Sequence, residues 1–155
     1  MKAGAWAGVG LVFAAIFIGA QSAFGGTLSG SNAPQGFSGI DALMQAIATA
    51  EGSLEAHPDW NNPGDLTRDF GFTSLGPQNS DGVLAFATLE DGWGALRAQL
   101  NLIARGGSHV YSTSDSILDM GHKWAGVSQG SAWAANVAAA LGVDPSTPIG
   151  DFLNG

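Results

Sequence analysis

The chain has 155 residues, no cysteine, and thirteen acids against five Lys and Arg, for a formal net charge of −8. That balance disfavours a nucleic-acid partner, whose phosphates such a surface repels. The missing thiols exclude both a disulfide framework and a thiolate metal site.

Lys2 opens an otherwise uncharged run that reaches Ile40. Its apolar part, Ala3 to about Phe24, is long enough to cross a bilayer as a helix, so residues 1–25 read as a single transmembrane anchor. Residues 26–39 are mostly Gly, Ser, Asn, Ala and Pro and read as a flexible tether. Lys2 and the amino terminus are positive and the downstream side is acidic, so the positive-inside rule places the bulk of the protein outside the cytoplasm. Small residues at Ala20-Gln21-Ser22 and Ala23-Phe24-Gly25 also allow a cleaved signal peptide. The apolar run exceeds a usual signal core, which favours the retained anchor.

Residues 40–155 form one domain, large enough for a single core. Thirteen acids here meet only Arg68, Arg97, Arg105 and Lys123. The first helix is expected to start at a Ser38 cap with Asp41 in its first turn and to run to about Ala50. Ile40, Leu43, Met44 and Ile47 recur at helical spacing, and the next turn of that apolar stripe delivers Glu51, just before Gly52 can stop the helix. Residues 52–69 carry Pro58 and Asn61-Asn62-Pro63-Gly64 and read as an ordered loop. Phe70/Phe72 and Leu84/Phe86 alternate around Asp81-Gly82, which predicts a short antiparallel hairpin. Thr88 caps a helix with Trp93, Leu96, Leu100 and Ile103 on its buried stripe, ended by Gly106-Gly107. Ile117, Met120 and Trp124 mark another helix, Trp133, Val137, Ala140 and Leu141 a further one ending at Gly142, and Thr147-Pro148 opens a short last one. With no repeat and no βαβ alternation, the fold class is α+β, mainly α, with one small hairpin after the first helix.

The helix carrying Glu51, the NNPG loop, the stretch Phe86-Ala87-Thr88-Leu89-Glu90-Asp91-Gly92 and the terminal Val137-Ala138-Ala139-Ala140-Leu141-Gly142-Val143 occur in that order. As an ordered set they resemble a phage lysozyme-like family of virion-associated peptidoglycan lysins, and they are similar to lytic transglycosylases. The resemblance implies a lysozyme-like domain in which a glutamate at the first helix end acts on the β-1,4 link between N-acetylated sugars, with the Asn-rich loop and hairpin lining the cleft. Only Glu51 transfers firmly. Two positions depart from the family's pattern: Asp65 stands where its loop usually has a second asparagine, and Trp133 where a tyrosine often lies.

Breaking a glycosidic bond requires a proton for the leaving oxygen, and burial keeps a carboxyl protonated near neutral pH. Glu51 has that context; its competing reading is a helix-end surface ion pair. A hydrolase would need a second carboxylate, from Glu55, Asp59, Asp65, Glu90 or Asp91, whereas a transglycosylase closes an anhydro ring with the sugar's own hydroxyl and needs one acid. Asn61 and Asn62 are candidates for hydrogen bonds to acetamido groups and Trp60 for stacking on a sugar, against ordinary turn chemistry for Asn-Pro-Gly. Thr88, Tyr111 and Trp133 are further substrate-contact candidates, although Thr88 also reads as a cap and Trp133, with Trp93 and Trp124, as core. His57, His109 and His122 show no ligand spacing, so neither metal nor cofactor is expected. Gly126-Val127-Ser128-Gln129-Gly130 matches GxSxG only formally, without a preceding strand or a following histidine.

The expected function is peptidoglycan cleavage by a membrane-anchored phage protein facing the periplasm or carried in a virion membrane. The expected partners are glycan strands, the lipid bilayer, and other virion membrane or capsid proteins. A virion protein that keeps the fold as a glycan-binding module without turnover is the alternative, and a chitin-directed hydrolase a third reading.

Overall fold

The computed structural model describes residues 39–154. The expected anchor, the tether up to residue 38 and the expected Ser38 cap lie outside them. Among the described residues, no helix is long and apolar enough to cross a membrane.

The described chain is mainly helical with one two-stranded antiparallel sheet. In order it forms α1 (Ile40–Glu51), α2 (Ser53–Ala56), a 3-10 turn (Pro58–Trp60), β1 (Ser74–Pro77), β2 (Leu84–Phe86), α3 (Leu89–Ala104), α4 (Ile117–Trp124), α5 (Gly130–Leu141) and α6 (Gly150–Leu153). The segment read as a loop after α1 therefore contains two short helical turns.

The apolar stripe of α1 buries Leu43, Met44 and Ile47. It packs against α5, whose Ala134, Val137 and Ala138 are buried in the same core, and α5 packs in turn on α4. Alanines on that face let the helices approach closely. Gly39 occupies the position before α1 and offers no side-chain cap; Asp41 instead pairs with Arg97 on α3. Leu96, Leu100 and Ile103 carry α3 into the core, as its periodicity predicts. The Thr88 hydroxyl caps that helix by accepting from the Asp91 amide at 3.1 Å. A reciprocal Ser116/Asp119 capping box starts α4.

The first strand differs from expectation: it is Ser74–Pro77, not the Phe70–Phe72 alternation. Phe70 has a φ of 53°, a left-handed conformation incompatible with a strand, and the Phe72 amide closes a turn onto the Asp69 carbonyl at 3.0 Å. The two rings belong to a turn, Phe70 under the Arg68 guanidinium and Phe72 against Gly94 of α3. Ser74 faces Phe86 and Pro77 faces Leu84, with a register shift between Ser74 and Gly76. The last helix begins at Gly150 and not at Thr147-Pro148, because those residues are tied to the start of α4. The Thr147 carbonyl accepts from the Ile117 amide at 3.0 Å, and the Asp115 carbonyl from the Ile149 amide at 2.9 Å. The GxSxG match runs from Gly126 in the connection after α4 to Gly130, the first residue of α5.

Candidate active site

Glu51 is the last residue of α1. Gly52 stops the helix there in a left-handed conformation, φ 67°, with its amide bonded to the Ala48 carbonyl at 3.1 Å. The helix can end with its final side chain still on the core side, since glycine takes this conformation without a steric penalty. Packing of α5 on α1 brings Trp133, which is 5 % exposed, to the same point. Its indole Nε1 donates to Glu51 Oε1 at 2.7 Å. Trp133 stacks with Trp124, the last residue of α4, at 5.9 Å between ring centres, and Trp124 meets Tyr111 at 5.8 Å with a tilt of 51°. A row of aromatic rings thus leads to the carboxyl group.

The second carboxyl comes from the Asn-rich loop. Asn62 is completely buried. Its Oδ1 accepts from the Leu66 amide at 2.9 Å, and its Nδ2 donates to the Leu66 and Leu84 carbonyls at 3.0 and 2.8 Å. Asn61 Nδ2 donates to the Phe86 carbonyl at 3.1 Å. Gly92 on α3 lies so close that a Cβ there would stand 1.8 Å from the Asn61 carbonyl oxygen. The loop is held between the hairpin and α3, which sustains left-handed conformations at Asn61 (φ 53°) and Asp65 (φ 49°). These turns aim Asp65 toward Glu51, where it accepts a hydrogen bond from the buried Ser53 hydroxyl.

Burial, reinforced by the Asp65 charge, pushes the Glu51 carboxyl up to about 7, against the opposing pull of the Trp133 and Trp124 indoles. Burial also raises Asp65, while Ser53, Glu51 and His57 draw it back down. Two such neighbours titrate as a pair, the first ionisation opposing the second. Tyr111 is pushed up to about 12 by burial and by the charges of Asp115 and Glu51, so its phenol stays protonated. The assembly is a half-buried acid whose titration is pushed up toward neutral pH, flanked by fixed N–H and O–H donors and an aromatic wall.

The residues expected at a glycan are distributed unevenly. Glu51, Trp133 and Tyr111 converge. Asn62, and with it Asn61, braces the loop, and no surface of Asn62 is left for a ligand. Trp60 has one face covered by His57, stacked at 3.9 Å and 9°. The Thr88 hydroxyl is engaged with Asp91 as both donor and acceptor. Ser53 and Trp124 were not anticipated in this role. Ser53 had a readable signal, being two positions after Glu51 and just past a helix stop, whereas the role of Trp124 depends on how α4 crosses α5. Among the described residues, no group of three or more His, Cys, Asp or Glu could hold a metal ion.

Compared with protein-family models, with curated proteins and with solved structures, the chain matches none.

Proposed function

We propose that the domain is a lysozyme-like glycosidase that cuts the β-1,4 bond between N-acetylmuramic acid and N-acetylglucosamine in peptidoglycan, acting as a lytic transglycosylase. The observation that carries this reading is the half-buried carboxyl of Glu51 at the end of α1, held by the Trp133 indole and pushed by burial toward neutral pH. Glu51 gives its proton to the glycosidic oxygen as the bond to C1 breaks. The resulting carboxylate then takes a proton from the sugar's C6 hydroxyl, whose oxygen closes onto C1 as an anhydro ring. Asp65 stabilises the protonated form of Glu51 through its charge.

Single-acid chemistry is favoured over hydrolysis by the placement of Asp65. Hydrolytic carboxyl pairs stand about 5 to 9.5 Å apart on opposite sides of the scissile bond. Asp65 instead has its carboxylate engaged by the Ser53 hydroxyl, and its charge holds the proton on Glu51. In this reading the apolar run of residues 1–25 holds the protein in a virion membrane or the host inner membrane, with the domain outside the cytoplasm and directed at the wall.

Mass spectrometry of fragments released from purified peptidoglycan by the full chain, with Glu51→Gln alongside, tests the proposal. Anhydro-sugar ends made by the parent alone are the expected result, and reducing ends would assign a hydrolase. No release from several wall types by a folded parent would sink the enzyme reading and leave a glycan-binding module of a virion membrane protein.

A further inference from the structure

Two pockets adjoin on the Asp65 side of the site and share Thr67, Gln99, Tyr111 and Lys123. The smaller, about 170 Å³, reaches Asp65 and Trp124. The larger, about 420 Å³, continues past Arg68, Phe70 and His109. No carboxylate lines this larger pocket, although acids outnumber Lys and Arg thirteen to five in the chain. The larger pocket thus gathers two cations and an imidazole with no carboxylate in its own lining, against the acidic balance of the chain.

The cations differ. Lys123 Nζ is 2.5 Å from Asp115 Oδ2 and 6.0 Å from the Tyr111 ring centre, so a neighbouring carboxylate offsets its charge. The Arg68 guanidinium lies 5.1 Å over the Phe70 ring, and among the described residues it has no ion-pair partner. A cation–π contact leaves the guanidinium N–H groups for a ligand, and their forked geometry matches a carboxylate.

We propose that this groove is a subsite for a carboxylate-bearing side group of the glycan, with Arg68 as its main contact and Lys123 as a secondary one. The inference rests on the glycan reading above and adds a selection rule. The site prefers an N-acetylated strand carrying acidic substituents, such as lactyl groups or peptide stems, over a neutral strand of equal length. The acidic exterior reinforces this by repelling the substituent everywhere else.

The test is equilibrium binding by the full chain bearing Glu51→Gln, which removes turnover. Two soluble tetrasaccharides serve as probes: neutral chitotetraose, and a disaccharide dimer carrying lactyl and peptide carboxylates. The acidic probe should bind roughly fivefold or more tightly. Arg68→Ala should abolish that preference, Arg68→Lys should retain part of it, and Arg105→Ala, outside the groove, should leave it unchanged. Equal affinity for both probes, undiminished preference in Arg68→Ala, or an equal loss in Arg105→Ala would overturn the subsite alone. Binding of neither probe would overturn the glycan reading and the subsite together.

Discussion

The indole nitrogen of Trp133 stands 2.7 Å from Glu51 Oε1, joining residues 82 positions apart in the chain. This bond works against burial. It stabilises the ionised form of Glu51 and so limits how far the carboxyl rises. Trp133→Phe keeps most of the ring and deletes the donor. The alkaline limb of the pH–rate profile for wall cleavage should move to higher pH, with folding stability reduced by about 1–2 kcal/mol. An unmoved limb would mean that the bond does not tune the acid.

Asp65→Asn removes a charge next to Glu51 and supplies the residue usual in the family that the chain resembles. Glu51 is raised first by burial and then by this charge, so its carboxyl should ionise at lower pH in the variant. The alkaline limb should move to lower pH, opposite to Trp133→Phe. A profile superimposable on the parent's would show that Asp65 has no electrostatic hold on Glu51.

Glu51→Gln should make the protein more stable at high pH. The carboxyl titrates at its ordinary 4.5 when unfolded and at about 7 in the fold. Its contribution to stability is therefore full below pH 4.5 and is lost as pH rises through 7. Gln offers Trp133 an equivalent oxygen and no charge. Urea denaturation should give parent and variant equal stability at pH 4, and a variant more stable by up to about 3 kcal/mol at pH 8. The reverse order at pH 8 would contradict a buried, proton-holding Glu51.

Asn62→Ala should act on folding. Its amide holds three backbone groups with no exposure to solvent, and leaving buried partners unpaired costs roughly 2–4 kcal/mol. Denaturant melts should show that loss. At temperatures where the variant stays folded, a weakened affinity for chitotetraose with unchanged stability would instead make Asn62 a ligand contact.

Gly92→Ala should be costlier than a methyl group suggests. The added carbon meets the Asn61 carbonyl oxygen at 1.8 Å, so the loop backbone must shift, at about 3 kcal/mol or more. Because that loop carries Asp65, its pH profile should change along with its stability. A variant as stable as the parent would mean that the loop is not clamped there.

Helices were legible wherever periodicity and stop signals agreed, as in α1 with Gly52 and α5 with Gly142. Glu51 could be read because stripe and stop coincide at one residue. The first strand could not, since Phe70 and Phe72 alternate for a reason belonging to a turn, and the left-handed φ at Phe70 leaves no mark in composition. The Asn-rich loop was recognisable as special, but its Asn62 amide proved to be internal scaffolding. Asn-Pro-Gly chemistry signals a shaped loop without saying which groups face inward. The pairing of Glu51 with Trp133 and Asp65 arises from helix crossing and loop closure, which no local window encodes.

The acid and its indole donor lie on the first and fifth helices, and the loop bearing Asp65 is clamped by the hairpin and the third. A chain emerging from synthesis carries at Glu51 an ordinary solvated carboxylate, ionised at neutral pH. In the proposed reading the acid is idle until the late helix has docked on the early one, so completion of the fold is what arms it.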